Sequence, residues 1–150
     1  MKRITSWNSG KYMTGSSLFF SFPATYGYVY YNLIYSPLLL CAMSIISANY
    51  WRDALDDWRR KLDIYFARTS FAYFITASLI YSPWKYNLFV GVPSLCGMLY
   101  CYNKSHEEYK LKEKHKRWIL YHVGFHTLIT TQLFIVMGYI GKQKQLIKYY

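Results

Sequence analysis

Residues 118–141, WILYHVGFHTLITTQLFIVMGYIG, run for 24 positions without a Lys, Arg, Asp or Glu. As a helix rising ~1.5 Å per residue, the stretch is about 36 Å long, enough to cross a hydrocarbon core of ~30 Å. His122 and His126 lie in its first turns at i, i+4 spacing, so both imidazoles project from one face. An ionisable side chain inside a span is costly and normally has a partner or a function. The rest of the chain is read for what those rings face.

Working outward, 12–51 is a further run with no formal charge, and 69–84 and 86–103 are two more. The mean hydropathy of −0.01 hides this, because the charges are clustered and the 18 Tyr score as polar. A phenol ring suits the membrane interface well. The pattern predicts an all-α polytopic membrane protein, a single membrane domain over 1–150, with 1–15 a polar interfacial tail and 142–150 a short basic one. A net charge of +11 is compatible with nucleic acid in principle. Here, however, the basic residues sit between apolar runs, as the positive-inside rule requires, and nucleic acid is not expected as a partner. Cys41, Cys96 and Cys101 fall within apolar runs and read as small buried hydrophobes rather than a disulfide framework. Residues 1–14 show no small-residue cleavage site, so no removable signal peptide is expected.

Leu33-Ile34-Tyr35-Ser36-Pro37 recurs as Leu79-Ile80-Tyr81-Ser82-Pro83. In each copy Ser can cap a helix that begins at Pro, which divides 12–51 in two and hints at a duplicated hairpin. Pro23 and Gly27 predict a distortion in the first span. Five spans result, roughly 16–35, 37–51, 62–82, 84–103 and 118–141, with four as the alternative if 12–51 is one kinked span. With five, 13 Lys and Arg fall on one side and 4 on the other, Arg68 lying within a span; with four the division is 10 to 7. The sharper asymmetry favours five spans and a cytoplasmic N-terminus. Residues 52–61 read as an amphipathic connector at headgroup level, and 104–117 as a solvated helical extension with pairs such as Glu108–Lys112.

In either arrangement Ser44, Ser47, Asn49, Asp63, His122 and His126 come to similar depth near the cytoplasmic surface. A carboxylate and two imidazoles are ordinary zinc ligands, and a catalytic zinc takes three protein ligands and a water. The same groups can equally hydrogen-bond one another and hold helices together, as can Thr127, Thr130, Thr131 and Gln132. Ser94, Gly97 and Gly91 offer a small-residue face for close helix approach.

Ser44 or Ser47 near the end of one span, Leu62-Asp63 opening the next, Thr76-Ala77-Ser78 through Pro83-Trp84 after it, and His122-Val123-Gly124-Phe125-His126 in the last resemble the CREST superfamily. That group of seven-helix membrane proteins includes alkaline ceramidases and progestin/adiponectin-receptor-like proteins. The resemblance implies an intramembrane zinc on the cytosolic side and an outward C-terminus. It also carries a further His soon after the first Ser, where this chain has Asn49, Tyr50 and Trp51.

Two functions are expected to compete. One is a structural or assembly role in an endomembrane of a eukaryotic cell or the internal membrane of a virion. Its basic face would contact anionic lipid, an acidic partner, or other membrane and assembly proteins. The other is a zinc-dependent hydrolase of lipid amides or esters, with His122, His126 and Asp63 on the metal and Ser44 or Ser47 orienting water.

Overall fold

The computed structural model describes residues 4–110 and 117–148, and over them the chain is helical with no strand. Its five helices are α1 (7–31), α2 (Tyr35–Arg52), α3 (Trp58–Tyr81), α4 (84–110) and α5 (Arg117–Lys148). The all-α expectation holds, and the run 12–51 is divided into two helices rather than one.

Several boundaries move, each for a local reason. Helix α1 begins at Trp7, not 16, so most of the expected tail is helix, with Ser9, Gly10 and Met13 buried against neighbours. Its middle tightens into a 3₁₀ turn at Leu18–Phe20. Pro23 follows and has no N–H for the Phe19 carbonyl, which locally breaks the α ladder. The helix ends at Tyr31, and Asn32 takes a left-handed conformation (φ 52°) as its cap, a role Asn fills well.

The two Leu-Ile-Tyr-Ser-Pro copies do not play equivalent parts. Helix α2 starts at Tyr35, before the first copy's Ser and Pro, and Ser36 bonds the Tyr73 hydroxyl at 2.8 Å instead of capping. In the second copy Ser82 ends α3 in an extended conformation (ψ 148°) and Pro83 leads into α4. A residue before proline is pushed towards that conformation. Neither serine caps as expected, and the two copies sit differently at the start of the helix pairs that follow them. Helix α4 widens to a π turn at Asn87–Gly91, just ahead of Pro93, whose ring would otherwise meet the Phe89 carbonyl.

Successive helices alternate in direction. Ser36 of α2 meets Tyr73 of α3 while Ser47 meets Asp63, and Ser94 of α4 meets Gln132 of α5 at 2.8 Å while Ser105 reaches Trp118. Helix α1 lies parallel to α5, from Met13 beside Trp118 to Tyr31 over Gly141. Helix α5 thus packs on α1, α3 and α4. Two glycines allow the α1–α5 approach: a Cβ on Gly27 would overlap the Met137 methyl, and one on Gly141 would land on the Tyr31 ring. A larger apolar cluster, including Phe20, Leu40, Phe74 and Met137, fills one half of the bundle, and Met13, Trp118 and Ile119 close the other end.

Candidate functional site

Between these apolar clusters lies a polar layer to which every helix contributes. Along α1 the buried positions are Ser9, Gly10, Met13, Ser16, Ser17, Phe20, Pro23, Ala24 and Gly27. That is an i, i+3, i+4 seam of mostly small residues, which lets neighbouring backbones come close. Ser16 and Ser17 fold their hydroxyls back on the Met13 carbonyl at 3.1 and 2.8 Å, the usual way a helical serine satisfies itself.

From that pair the hydrogen bonding runs in two directions. The Ser17 hydroxyl is also 3.0 Å from that of Ser47 on α2, its one proton serving either this oxygen or the Met13 carbonyl, and Ser47 in turn reaches the Asp63 carboxylate of α3. Ser44, one turn back on α2, donates to the Ser17 carbonyl at 3.0 Å. In the other direction Ser16 meets Nδ1 of His126 at 2.9 Å. The His126 ring stands 4.8 Å from that of His122, centroid to centroid, and Nδ1 of His122 is 3.4 Å from the Ser105 hydroxyl of α4. Ser105 itself donates to the Trp118 carbonyl at 3.1 Å. The chain of contacts from Asp63 to Ser105 therefore crosses all five helices.

Each serine has one proton. With the Ser16 and Ser105 protons directed at backbone carbonyls, their oxygens accept from Nδ1–H of His126 and His122. Both rings are then held in one tautomer with Nε2 as the acceptor. Apolar neighbours fix the rings further: Phe20 lies 5.1 Å from His126, and Trp51 packs edge-on to His122 at 5.2 Å. Trp51 lies in the stretch where the resemblance calls for another imidazole. Ser16, Ser17, Ser44, Ser47, Ser105 and His126 are all buried, and Asp63 is partly so.

The structure thus joins Ser47 to Asp63 and His122 to His126, and links the two pairs through α1. It does not assemble His122, His126 and Asp63 as metal ligands. Among the described residues no three His, Cys, Asp or Glu side chains form a group able to hold a metal ion. The imidazole pair offers two donors, and the Asp63 carboxylate, which Ser47 reaches, is not grouped with them as a third.

Comparison with protein-family models, curated proteins and solved structures finds no match.

The residues that sequence reasoning overlooked are Ser16, Ser17 and Ser105, which carry the links between the predicted pairs. The small-residue seam of α1 was the available signal, hidden by the assignment of 1–15 to a tail. Two expectations on α5 change as well. Thr127 and Thr131 bond back to the Val123 and Thr127 carbonyls at 2.9 and 3.0 Å, and Thr130 is buried without a partner. Gln132 alone of the four reaches another helix, bonding Ser94 and Tyr86. Cys41 and Cys96 are exposed on the outside of the bundle rather than buried. At the polar end, the 52–61 connector is tied down by the Ile4 N–H to the Ala54 carbonyl at 2.8 Å and by Arg60 on Asp56 at 2.8 Å. The expected Glu108–Lys112 pair reaches outside the described residues.

Proposed function

We propose that the chain is a polytopic integral membrane protein with a structural or assembly role, its basic cytoplasmic face contacting anionic lipid or an acidic partner. The observation that carries this reading is an inverted distribution of side chains. Serines, histidines and an aspartate are inside, while Phe22, Val29, Leu38, Ile45, Leu79, Phe89 and Leu99 are exposed on the outside of four helices. In water so much apolar surface is a liability; in lipid it is the normal exterior. Helix α5 is long and apolar enough to cross a membrane, yet only 33% of its apolar window is buried, whereas the core helix of a soluble protein would be mostly enclosed. In the polar layer the serine hydroxyls and imidazoles bond one another or nearby carbonyls across helices, which is how polar groups hold membrane helices together.

Carbonate extraction followed by sizing in lipid nanodiscs tests the reading. The protein should remain with the membrane and associate with further copies or an acidic membrane partner. A chain released by carbonate, or one that stays monomeric and partnerless in anionic lipid, would overturn it.

The pinned imidazole pair is the one observation that favours the second reading, a zinc-dependent hydrolase of lipid amides or esters. Zinc bound by such a pair would polarise a carbonyl and activate water. Elemental analysis of protein prepared without chelators decides it: stoichiometric zinc that disappears in His126→Ala supports an enzyme, and substoichiometric zinc removes it.

A further inference from the structure

The opposite end of the bundle holds a second feature, an open cavity of about 380 Å³ between α1 and α5. Tyr26 and Tyr31 form one wall, and Phe134, Gly138, Tyr139 and Lys142 the other. The two α1 phenols are 3.2 Å apart, so one donates to the other and a single hydroxyl proton is left to face the cavity. Gly138 keeps the floor open: a Cβ there would come within 3.7 Å of the Tyr26 hydroxyl and 3.9 Å of that of Tyr31. From Phe134 to Lys142 the α5 wall changes from apolar to cationic over about 12 Å of helix.

Charge defines what can enter. The chain has no Asp or Glu in 1–52, 64–106 or 114–150, and every acidic side chain among the described residues belongs to the other end of the bundle. Lys144 is committed to the Asn32 carbonyl at 3.2 Å, capping α1. Lys142 instead lines the cavity beside phenolic donors, and no Asp or Glu side chain of α1 or α5 is there to balance it. A group of ammonium and hydroxyl donors at the rim of an aromatic cleft suits an anion that has an apolar continuation.

We propose that this cavity binds a glycerophospholipid from the adjacent leaflet. Lys142, the Tyr139 hydroxyl and the one proton left free by the Tyr26–Tyr31 pair take the phosphate, and the start of an acyl chain lies against Phe134. The proposal rests on the membrane reading above, because it places Lys142 at headgroup level and Phe134 deeper in the bilayer. The cavity holds the headgroup and its first methylenes, and the remaining acyl chains stay in the bilayer.

Native mass spectrometry of the full chain, exchanged from detergent into phosphatidylglycerol or into uncharged diacylglycerol of the same acyl chains, tests it. Wild-type protein should retain one phosphatidylglycerol and no diacylglycerol. Lys142→Ala and Gly138→Leu should each lower retention roughly five- to tenfold, the scale of one cation at a lipid surface, and Lys142→Arg should restore it. Gly138→Leu separates a shaped site from general attraction to charge, since it fills the floor and keeps the lysine. Equal retention in wild type and Gly138→Leu, or equal retention of diacylglycerol, overturns the proposal. If Gly138→Leu unfolds by circular dichroism, the comparison of Lys142→Ala with Lys142→Arg decides instead. Carbonate extraction run alongside keeps the two readings apart: a chain that resists extraction yet shows no selective retention loses the lipid site alone.

Discussion

Gly10 and Gly15 lie in the same two turns of α1, and their surroundings give opposite expectations for the same substitution. A Cβ on Gly10 would come within 2.7 Å of the Trp51 carbonyl oxygen, a backbone atom that cannot rotate away. One on Gly15 would meet nothing within 4 Å. Gly10→Ala should therefore force α1 away from α2 and cost ~1–3 kcal/mol, as overpacking does. Gly15→Ala should gain up to ~1 kcal/mol from helix propensity alone. Thermal midpoints measured in one detergent should fall for the first and stay level or rise for the second; a fall for both would show that α1 is not held against α2 at Gly10. The residue scale is also where sequence reading reached least far. His122, His126, Ser44, Ser47 and Asp63 were legible as polar groups in apolar runs, but nothing in their spacing shows that Ser16 and Ser17 of α1 link the two sets. That arrangement depends on the close approach that Gly10 and Gly27 allow, a property of three-dimensional packing rather than of any local pattern.

At the scale of the element, helix existence was legible and helix ends were not. Uncharged length marked α3, α4 and α5 well, because runs of that kind have few alternatives. The Ser-Pro dipeptides misled because the turn chemistry of one residue pair is weaker than the packing around it: Ser36 finds Tyr73, and so has no need to cap. The cap that does form is Asp57, ahead of Trp58, which accepts from the Arg59 N–H at 2.9 Å and pairs with the Arg59 guanidinium at 2.8 Å. Hydrogen bonding from the Arg59 side chain, chiefly, holds this carboxyl below the usual aspartate range. The folded pKa lies below the unfolded one, so the stabilisation is complete above about pH 4 and is lost as the pH falls through the folded value. Asn caps a helix about as well as Asp. Asp57→Asn therefore removes the charge and keeps the cap. Its midpoint should lie below that of wild type near neutral pH, and the gap should close on acidification below about pH 4. A gap that stays constant with pH would show that the Arg59 pairing contributes nothing to α3.

For the molecule as a whole, charge asymmetry carried more information than hydropathy. By length and composition α5 is the one described helix that passes as a membrane span; Tyr, Ser and Gly lower the hydropathy of α1 and α2, and charges intrude on α3. Even so, Lys and Arg divide 13 to 4 with five crossings and only 10 to 7 with four, and the five alternating helices agree with the five-span reading proposed above. Helix α2, with 18 residues, is the shortest of them. It covers about 27 Å, which matches the thinner bilayer of the endoplasmic reticulum. The alternation makes a prediction that four spans do not share, since with four the N-terminus lies across the membrane from the connector between α2 and α3. In a chain with Cys41, Cys96 and Cys101 replaced by Ser, single cysteines at Asn8, Lys61 and His106 should react with an impermeant maleimide from the cytoplasmic side. Cysteines at Lys85 and Gln145 should react only from the opposite side. All five positions are exposed on the bundle, so a missing reaction reports the membrane rather than burial in protein. Labelling of Asn8 together with Gln145 would mean that α1 and α2 do not each cross. The polar layer would then no longer lie at one depth, and the inward-facing serines and histidines would need a different explanation from the one that lipid provides.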